Sequence, residues 1–286
     1  MRSTFVTRLI SSLGFSALAA LSLMAGASPA RAAGNITVKG SDTMVVLGQR
    51  WAEEYMKKHP DVTIQVTGGG SGTGISALIN GTTDICESSR SMKDAEKKQV
   101  AEKAGGEAEE LTVARDGLSV YVNASNPLTD LTMEQLKGIF TGKITDWKDV
   151  GGPAGKIIAY SRENSSGTYV FFKEHVLQNA DFTPRAQNMP GTAAVVNAVS
   201  KEKLSIGYGG AAFAKGIKVL KIRPDAASAG IEPTEATIKS GTYPLARPLF
   251  FYLRPKASAD IKAFTTWVLS PAGQEIVVKV GYYPIK

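Results

Sequence analysis

The sequence predicts an α/β fold with a substantially parallel sheet. Three features predict it: short β-like runs alternate with helical ones, glycine and hydroxyl residues punctuate the passages from strand to helix, and the same grammar occurs twice along the chain.

In order, residues 35–39 read as a strand. Residues 45–58 carry apolar side chains at helical spacing, and the pattern stops at His59-Pro60, since proline cannot continue a helix. Residues 62–67 alternate apolar and polar as a half-buried strand does, residues 75–80 form a helix, and 83–87 a strand. The middle repeats this with strand 118–123, helix 132–140, strand 156–161, helix 168–177, helix 193–200 and a short buried strand at 204–208. Residues 247–253 are apolar and aromatic, and 261–269 and 272–279 are helical. Phe250, Phe251 and Tyr252 read as sheet core rather than a stacking platform. Neither a solenoid-length repeat nor a low-complexity tract occurs.

Residues 1–32 read as a secretory signal peptide. Arg2 and Arg8 give a positive start, an apolar run follows, and Ala30-Arg31-Ala32 offers small residues where a signal peptidase reads. A membrane anchor is the competing reading, and Ser11, Ser12, Ser16, Ser22 and Pro29 weaken it. The expectation is export with cleavage near Ala32, and a periplasmic product. The single cysteine, Cys86, lies far from that region, so it is not placed to carry a lipid there. One cysteine makes no internal disulfide and no cysteine-rich metal site, and within Thr83-Asp84-Ile85-Cys86 it reads as a small core residue. The remaining chain is long enough for an ample core and two lobes.

The formal charge of +7 falls by three when Arg2, Arg8 and Arg31 leave with the leader. The lysines are scattered, and no basic run is interleaved with aromatics, which argues against a nucleic-acid partner. A mild positive balance favours anions.

Chemistry concentrates at four strand-to-helix junctions: Gly40-Ser41-Asp42-Thr43, Gly68 through Gly74, Ser88-Ser89-Arg90-Ser91, and Arg162 through Thr168. The first turn of a helix leaves backbone N–H groups without internal partners at the positive end of the helix dipole. Glycine lets an anion approach that backbone, and Ser or Thr adds a donor, so several such ends converging suit a phosphate-sized oxyanion. Parallel α/β sheets bring junctions of this kind to one edge. Any one of them alone is an ordinary N-cap. Three consecutive glycines before Ser71, and Ser-Gly-Thr at both 71–73 and 166–168, exceed what capping needs. The candidate ligand residues are Ser41, Asp42, Thr43, Ser71, Gly72, Ser89, Ser166, Gly167 and Thr168. Arg90 and Arg162 are the candidate guanidinium partners, able to hold two oxygens of one anion.

Other glycine motifs fail on detail. Gly70-Ser71-Gly72-Thr73-Gly74 lacks the Lys-Ser/Thr pair of a nucleotide P-loop and departs from the dinucleotide fingerprint, so no cofactor is expected. The only histidines, His59 and His175, lie outside the serine-rich junctions. That leaves serine chemistry without a base and a metal phosphatase without ligands. Neither catalytic residues nor a metal site are expected: a site of donors without base or metal binds an anion and does not transform it.

At these same junctions the segments GSDTM, GGGSGTGI, SSRSM and RENSSGTY resemble the substrate-binding proteins of Pst-type phosphate ABC importers, in their shorter bacterial branch. LKGIFTGKITDWKDVGG and GTAAVVNAV extend the likeness over nearly all of the chain after residue 32. The resemblance implies a two-lobed type II periplasmic-binding-protein fold with two crossovers, residues 34–120 plus 214–286 forming one lobe and 121–213 the other. It implies a monomer that captures inorganic phosphate and delivers it to the membrane permease of an ABC importer. Ligand roles carry over to Thr43 and Ser71, and to Arg162, Ser166, Gly167 and Thr168. In one respect the sequence departs from that pattern, because Ser89 stands where members of the family use an aspartate to accept the ligand's proton. Asp42 is the candidate replacement, with an N-cap as its alternative role. The alternatives are a binder of sulfate, molybdate or tungstate and, from a different class, an exported phosphoester hydrolase.

Overall fold

The computed structural model describes residues 34–285; the signal-peptide expectation lies outside them. The N-terminal half opens with β1 (Gly34–Gly40), α1 (Val45–Lys58), β2 (Val62–Thr67), α2 (Ser71–Asn80), β3 (Ile85–Ser88) and α3 (Asp94–Ala104). A long strand β4 (Glu109–Val122) leads to β5 (Asp130–Thr132), α4 (Met133–Thr141), β6 (Ile158–Arg162), α5 (Gly167–His175), β7 (Gln187–Met189), α6 (Gly191–Lys201) and β8 (Ser205–Gly210). The chain closes with β9 (Lys218–Arg223), α7 (Glu235–Lys239), β10 (Ala246–Leu253), α8 (Ala259–Leu269) and α9 (Pro271–Val280).

The sheet is mixed. β1 lies between β2 and β3, both parallel to it, and β6 lies between β7 and β8, again parallel. These are the two parallel runs the alternation predicted. The antiparallel members are β10 and β4. β10 pairs with β3 and with residues 109–117 of β4, whereas residues 118–122 of β4 pair with β8 and β9. β4 therefore changes partners between Gly117 and Leu118 and belongs to both half-sheets.

The core divides at the same place. One cluster runs through Ile36, Leu47, Trp51, Ile64, Val113, Phe251 and Phe264, with α1 contributing Leu47, Trp51, Ala52 and Tyr55 from one face as a 3.6-residue period requires. A second runs through Leu118, Leu136, Phe140, Trp147, Phe172, Ile206 and Tyr208. Leu220, Ile222, Ile238, Tyr243 and Leu245 pack in this second cluster, although the sequence reading grouped 214–286 with the N-terminal half. The reason is β9, which pairs with the distal part of β4 and with β5. Both clusters lie within one compact unit. Phe250, Phe251 and Tyr252 are sheet core as expected, and Cys86 is a buried free thiol.

Glu87 stands out in the first half. It is fully buried, and neither carboxyl oxygen has a hydrogen-bond partner. It faces α1 closely enough that a Cβ on Gly48 would lie 1.9 Å from its Oε1. Burial first, and then the nearby Asp42 carboxylate, push its pKa up to about 8. The folded protein thus holds a proton that the unfolded chain releases near the ordinary carboxylate value of about 4.3. Stability must then fall as pH rises from about 4.3 towards 8 and level off above it. Urea denaturation between pH 5 and 9 is expected to show this decline, a few kcal/mol at most on the order of the shift, and Glu87→Gln is expected to flatten it. An unchanged slope in Glu87→Gln would assign the pH dependence to another group.

Candidate functional site

Local sequence explains why the helix starts gather. Gly69 and Gly70 hold φ of 111° and 94°, left-handed backbone that other residues adopt at a cost. They turn the chain from β2 so that α2 begins at Ser71, four residues before the apolar period made it visible. Gly70 N–H donates to the Gly40 carbonyl at 2.9 Å, and Ser41 N–H donates to the Glu87 carbonyl at 2.9 Å. The ends of β1, β2 and β3 are thereby knitted into one edge.

From the other half, Ser166 caps α5 by accepting the Tyr169 N–H at 3.3 Å, and Gly167 becomes the first helical residue. The N-termini of α2 and α5 meet here. Gly72 N–H donates to the Ser165 carbonyl at 2.9 Å, and a Cβ on Gly167 would lie 2.3 Å from Ser71 Oγ and 2.8 Å from Ser89 Oγ. Only glycine fits between them.

A knot of five buried hydroxyls results. Ser41 Oγ donates to Ser89 Oγ at 2.9 Å. Ser89 N–H donates to Ser71 Oγ at 3.1 Å, with the two Oγ atoms 3.3 Å apart. Thr43 Oγ1 and Thr168 Oγ1 are 2.9 Å apart, and Ser89 Oγ lies 3.5 Å from Thr168 Oγ1.

Arg162, at the end of β6, is 1% exposed. Its Nη2 donates to Asp42 Oδ2 at 2.9 Å and its Nη1 to Thr192 Oγ1 at 2.9 Å, while its Nε–H has no protein acceptor. Burial lowers its pKa, and the Asp42 carboxylate opposes that effect, so the guanidinium keeps its charge. The other oxygen of Asp42, Oδ1, accepts the Gly69 N–H at 2.8 Å. Asp42 is therefore not an N-cap: the residue at that position of α1 is Met44, without a side-chain cap.

Most of the sequence-predicted residues, then, come together. Arg90 does not. Its Nη1 and Nη2 grip Glu96 of α3 at 2.8 and 2.7 Å, and Nη1 also donates to the Ser91 carbonyl. The preceding loop turns its side chain towards α3, where a carboxylate stands on the first turn. Gly72 is present, but its amide is spent on Ser165, and Ser41 contributes through Ser89.

Sequence reasoning missed three residues. Thr192 sits on the first turn of α6, after Met189-Pro190-Gly191; it repeats the strand–glycine–hydroxyl–helix pattern, and only the shortness of β7 concealed it. Arg247 and Asp116 lie within strands, directly opposite one another on β10 and β4, where no junction motif marks them. Arg247 Nε and Nη2 donate to Asp116 Oδ2 at 3.0 and 2.8 Å, Nη2 donates to Thr168 Oγ1 at 3.1 Å, and Nη1 to the Ser89 carbonyl at 3.2 Å. For Arg247 the available signal was a charge at the start of an otherwise apolar run; Asp116, next to Arg115, carried none. The histidines are elsewhere: His59 stacks on Tyr55, and His175 Nδ1 lies 3.0 Å from the Phe171 carbonyl.

Residues 25–272 match the family model described as a PBP superfamily domain. The chain belongs to that family. It is 36% identical over 269 residues to the phosphate-binding protein PstS of Pseudomonas aeruginosa, covering 88% of this chain and 83% of that one. The PstS of Staphylococcus epidermidis is 38% identical over 251 residues, covering 84% and 76%. Among solved structures, a Clostridium perfringens protein named for phosphate ABC transport and crystallised with bound phosphate superposes with a TM-score of 0.81 at 29% identity, covering 88% of this chain and all of that one. An ABC-type phosphate transport receptor from Vibrio cholerae gives a TM-score of 0.71 at 30% identity, covering 87% and 99%. The fold is the type II periplasmic-binding-protein fold with two crossover segments, and the family is one of binding proteins, not enzymes.

The contact between the two helix starts makes a direct prediction. At a roomy helical position Gly→Ala stabilises by about 0.5–1 kcal/mol. Gly167→Ala is instead expected to force α2 and α5 apart, since Ser71 Cβ would lie 2.8 Å from the new methyl. Hydrogen exchange at the Gly72 amide should speed up by about tenfold or more, with β1 and β8 amides unchanged. An unaltered Gly72 rate would contradict the packing described.

Proposed function

We propose that this protein captures inorganic phosphate between two lobes and hands it to the membrane permease of an ABC importer. The observation that carries the reading is the convergence of the α1, α2, α5 and α6 starts on a hydroxyl knot beside a buried, charged Arg162 with an uncommitted Nε–H. Each helix start adds roughly half a positive charge and free N–H groups, and the arginine adds a whole charge in a form that matches a tetrahedral anion. Relatives named for phosphate binding and an ABC transporter support the choice of ligand and of partner.

In this reading the lobes are residues 34–117 with 246–285, and 118–245, the chain passing between them where β4 changes partners and again at the start of β10. The ligand is held by Thr43 and Ser71 from the first lobe and by Arg162, Ser166, Gly167 and Thr168 from the second, with Ser89 completing the hydroxyl set. Asp42 serves mainly as the counter-ion that aims Arg162. A carboxylate keeps further lone pairs beyond those two bonds, so Asp42 also retains the capacity to accept a ligand proton and disfavour fully ionised sulfate. The protein acts as a monomer, exported with residues 1–32 removed. Among the described residues no helix is long and apolar enough to cross a membrane.

Isothermal titration of phosphate-stripped protein is expected to show one phosphate per chain, with sulfate weaker by about tenfold or more. Arg162→Ala should weaken phosphate by at least about a hundredfold, the roughly 3 kcal/mol of a lost charge-assisted bond. Absence of heat at millimolar phosphate would refute the reading; equal binding of sulfate would leave an oxyanion binder and remove the proton-reading role of Asp42.

A further inference from the structure

The buried Arg247–Asp116 pair does more than join two strands. Both residues are 3% exposed or less, and they face one another on β10 and β4 beside the point where β4 leaves one half-sheet for the other. The second oxygen of Asp116, Oδ1, accepts the Ala211 N–H at 3.1 Å, so the carboxylate is held from both sides. The guanidinium it fixes then reaches two places. One is the Ser89 carbonyl at the end of β3, the other the Thr168 hydroxyl on the first turn of α5.

The chemistry of the second contact is directional. A guanidinium has donors and no acceptor, so Thr168 Oγ1 receives the bond with a lone pair. Its one hydrogen must then point away from Arg247, into the knot. The same constraint recurs nearby. Ser71 Oγ accepts the Ser89 N–H, and Ser89 Oγ accepts from Ser41, so both also direct their hydrogens onward. Each of the three hydroxyls thus has a lone pair taken by a fixed donor and its one hydrogen left for another oxygen, of the knot or of a bound anion. Hydrogens directed to a bound anion in this way suit an ionised oxygen.

We infer that Arg247, held by Asp116, is a positioning residue that fixes the Thr168 hydroxyl as a donor to the bound anion and makes that orientation depend on the two lobes being together. This deepens the phosphate reading above and rests on it. Arg247 is buried beneath the hydroxyls and acts through Thr168. Its contacts span the N-terminal half through Ser89 and the second half through α5, so the full set of bonds exists only in the closed arrangement.

The test is a double-mutant cycle read by phosphate titration, with thermal unfolding of each phosphate-free variant as a check on folding. Arg247→Lys keeps the charge but not the fork that reaches Asp116, Ser89 and Thr168 at once. It is expected to weaken phosphate binding about tenfold, as is Thr168→Val. The double variant is expected to bind no worse than Thr168→Val alone. Asp116→Asn keeps an acceptor oxygen for Arg247 and is the fallback if Arg247→Lys does not fold; it should show a smaller loss that also vanishes in the Thr168→Val background. Additive losses would overturn the proposal, because a pair that only joins strands does not act through Thr168. Wild-type affinity in Arg247→Lys would overturn it as well. Wild-type protein that takes up no phosphate would remove the phosphate reading itself, and the positioning role with it.

Discussion

Two helices cannot ordinarily meet at their positive ends. Here the starts of α2 and α5 approach until Gly167 lies against Ser71, with α1 and α6 adding two more starts beside them. Like-signed dipole ends and unpaired amides are unfavourable together in a dry setting. The structure tolerates the arrangement because hydroxyls take up donors locally and because carboxylates stand behind the positive charges. The placement of the arginines, the glycines and the crossovers follows from holding these ends in one place.

The electrostatic support is arranged in depth. Arg162 is balanced by Asp42, and Arg247 by Asp116, so no buried guanidinium of the knot is left alone, as the cost of an unpaired buried charge demands. Glu87 beneath them behaves differently. With its pKa pushed up to about 8 it remains protonated at neutral pH, which spares the loop at Asp42 a second negative charge. Arg90 would have added another cation, but Glu96 removes it from the neighbourhood.

Much of this was legible in the residues. Periodicity located α1 and β2 without error, because an amphipathic helix ending at His59-Pro60 and an alternating strand are local signals. The candidate site was legible through chemistry repeated at chain junctions: Ser71, Ser89 and Thr168, drawn from three of them, meet in the hydroxyl knot, and Arg162 pairs with Asp42 beside Thr43. What escaped was non-local. The first half of β4 and the whole of α3 carry weak periodicity, and β9 is assigned to its core by pairing with β4, which no window of sequence contains. Arg90 misled because a guanidinium beside serines looks the same whether it faces a ligand or the Glu96 of the next helix. Arg247 and Asp116 escaped for the converse reason: each is a charge within a strand, far from any junction motif, and their meaning arises only when β10 lies on β4.

An anion held where these helix starts converge would complete the arrangement. A crystal structure of the protein grown with phosphate tests it most directly. A single phosphate is expected, with oxygens in hydrogen-bonding range of Thr43, Ser71, Arg162 and the Gly167–Thr168 amides. Phosphate found only at surface lysines, with the hydroxyl knot still bonded to itself, would contradict it.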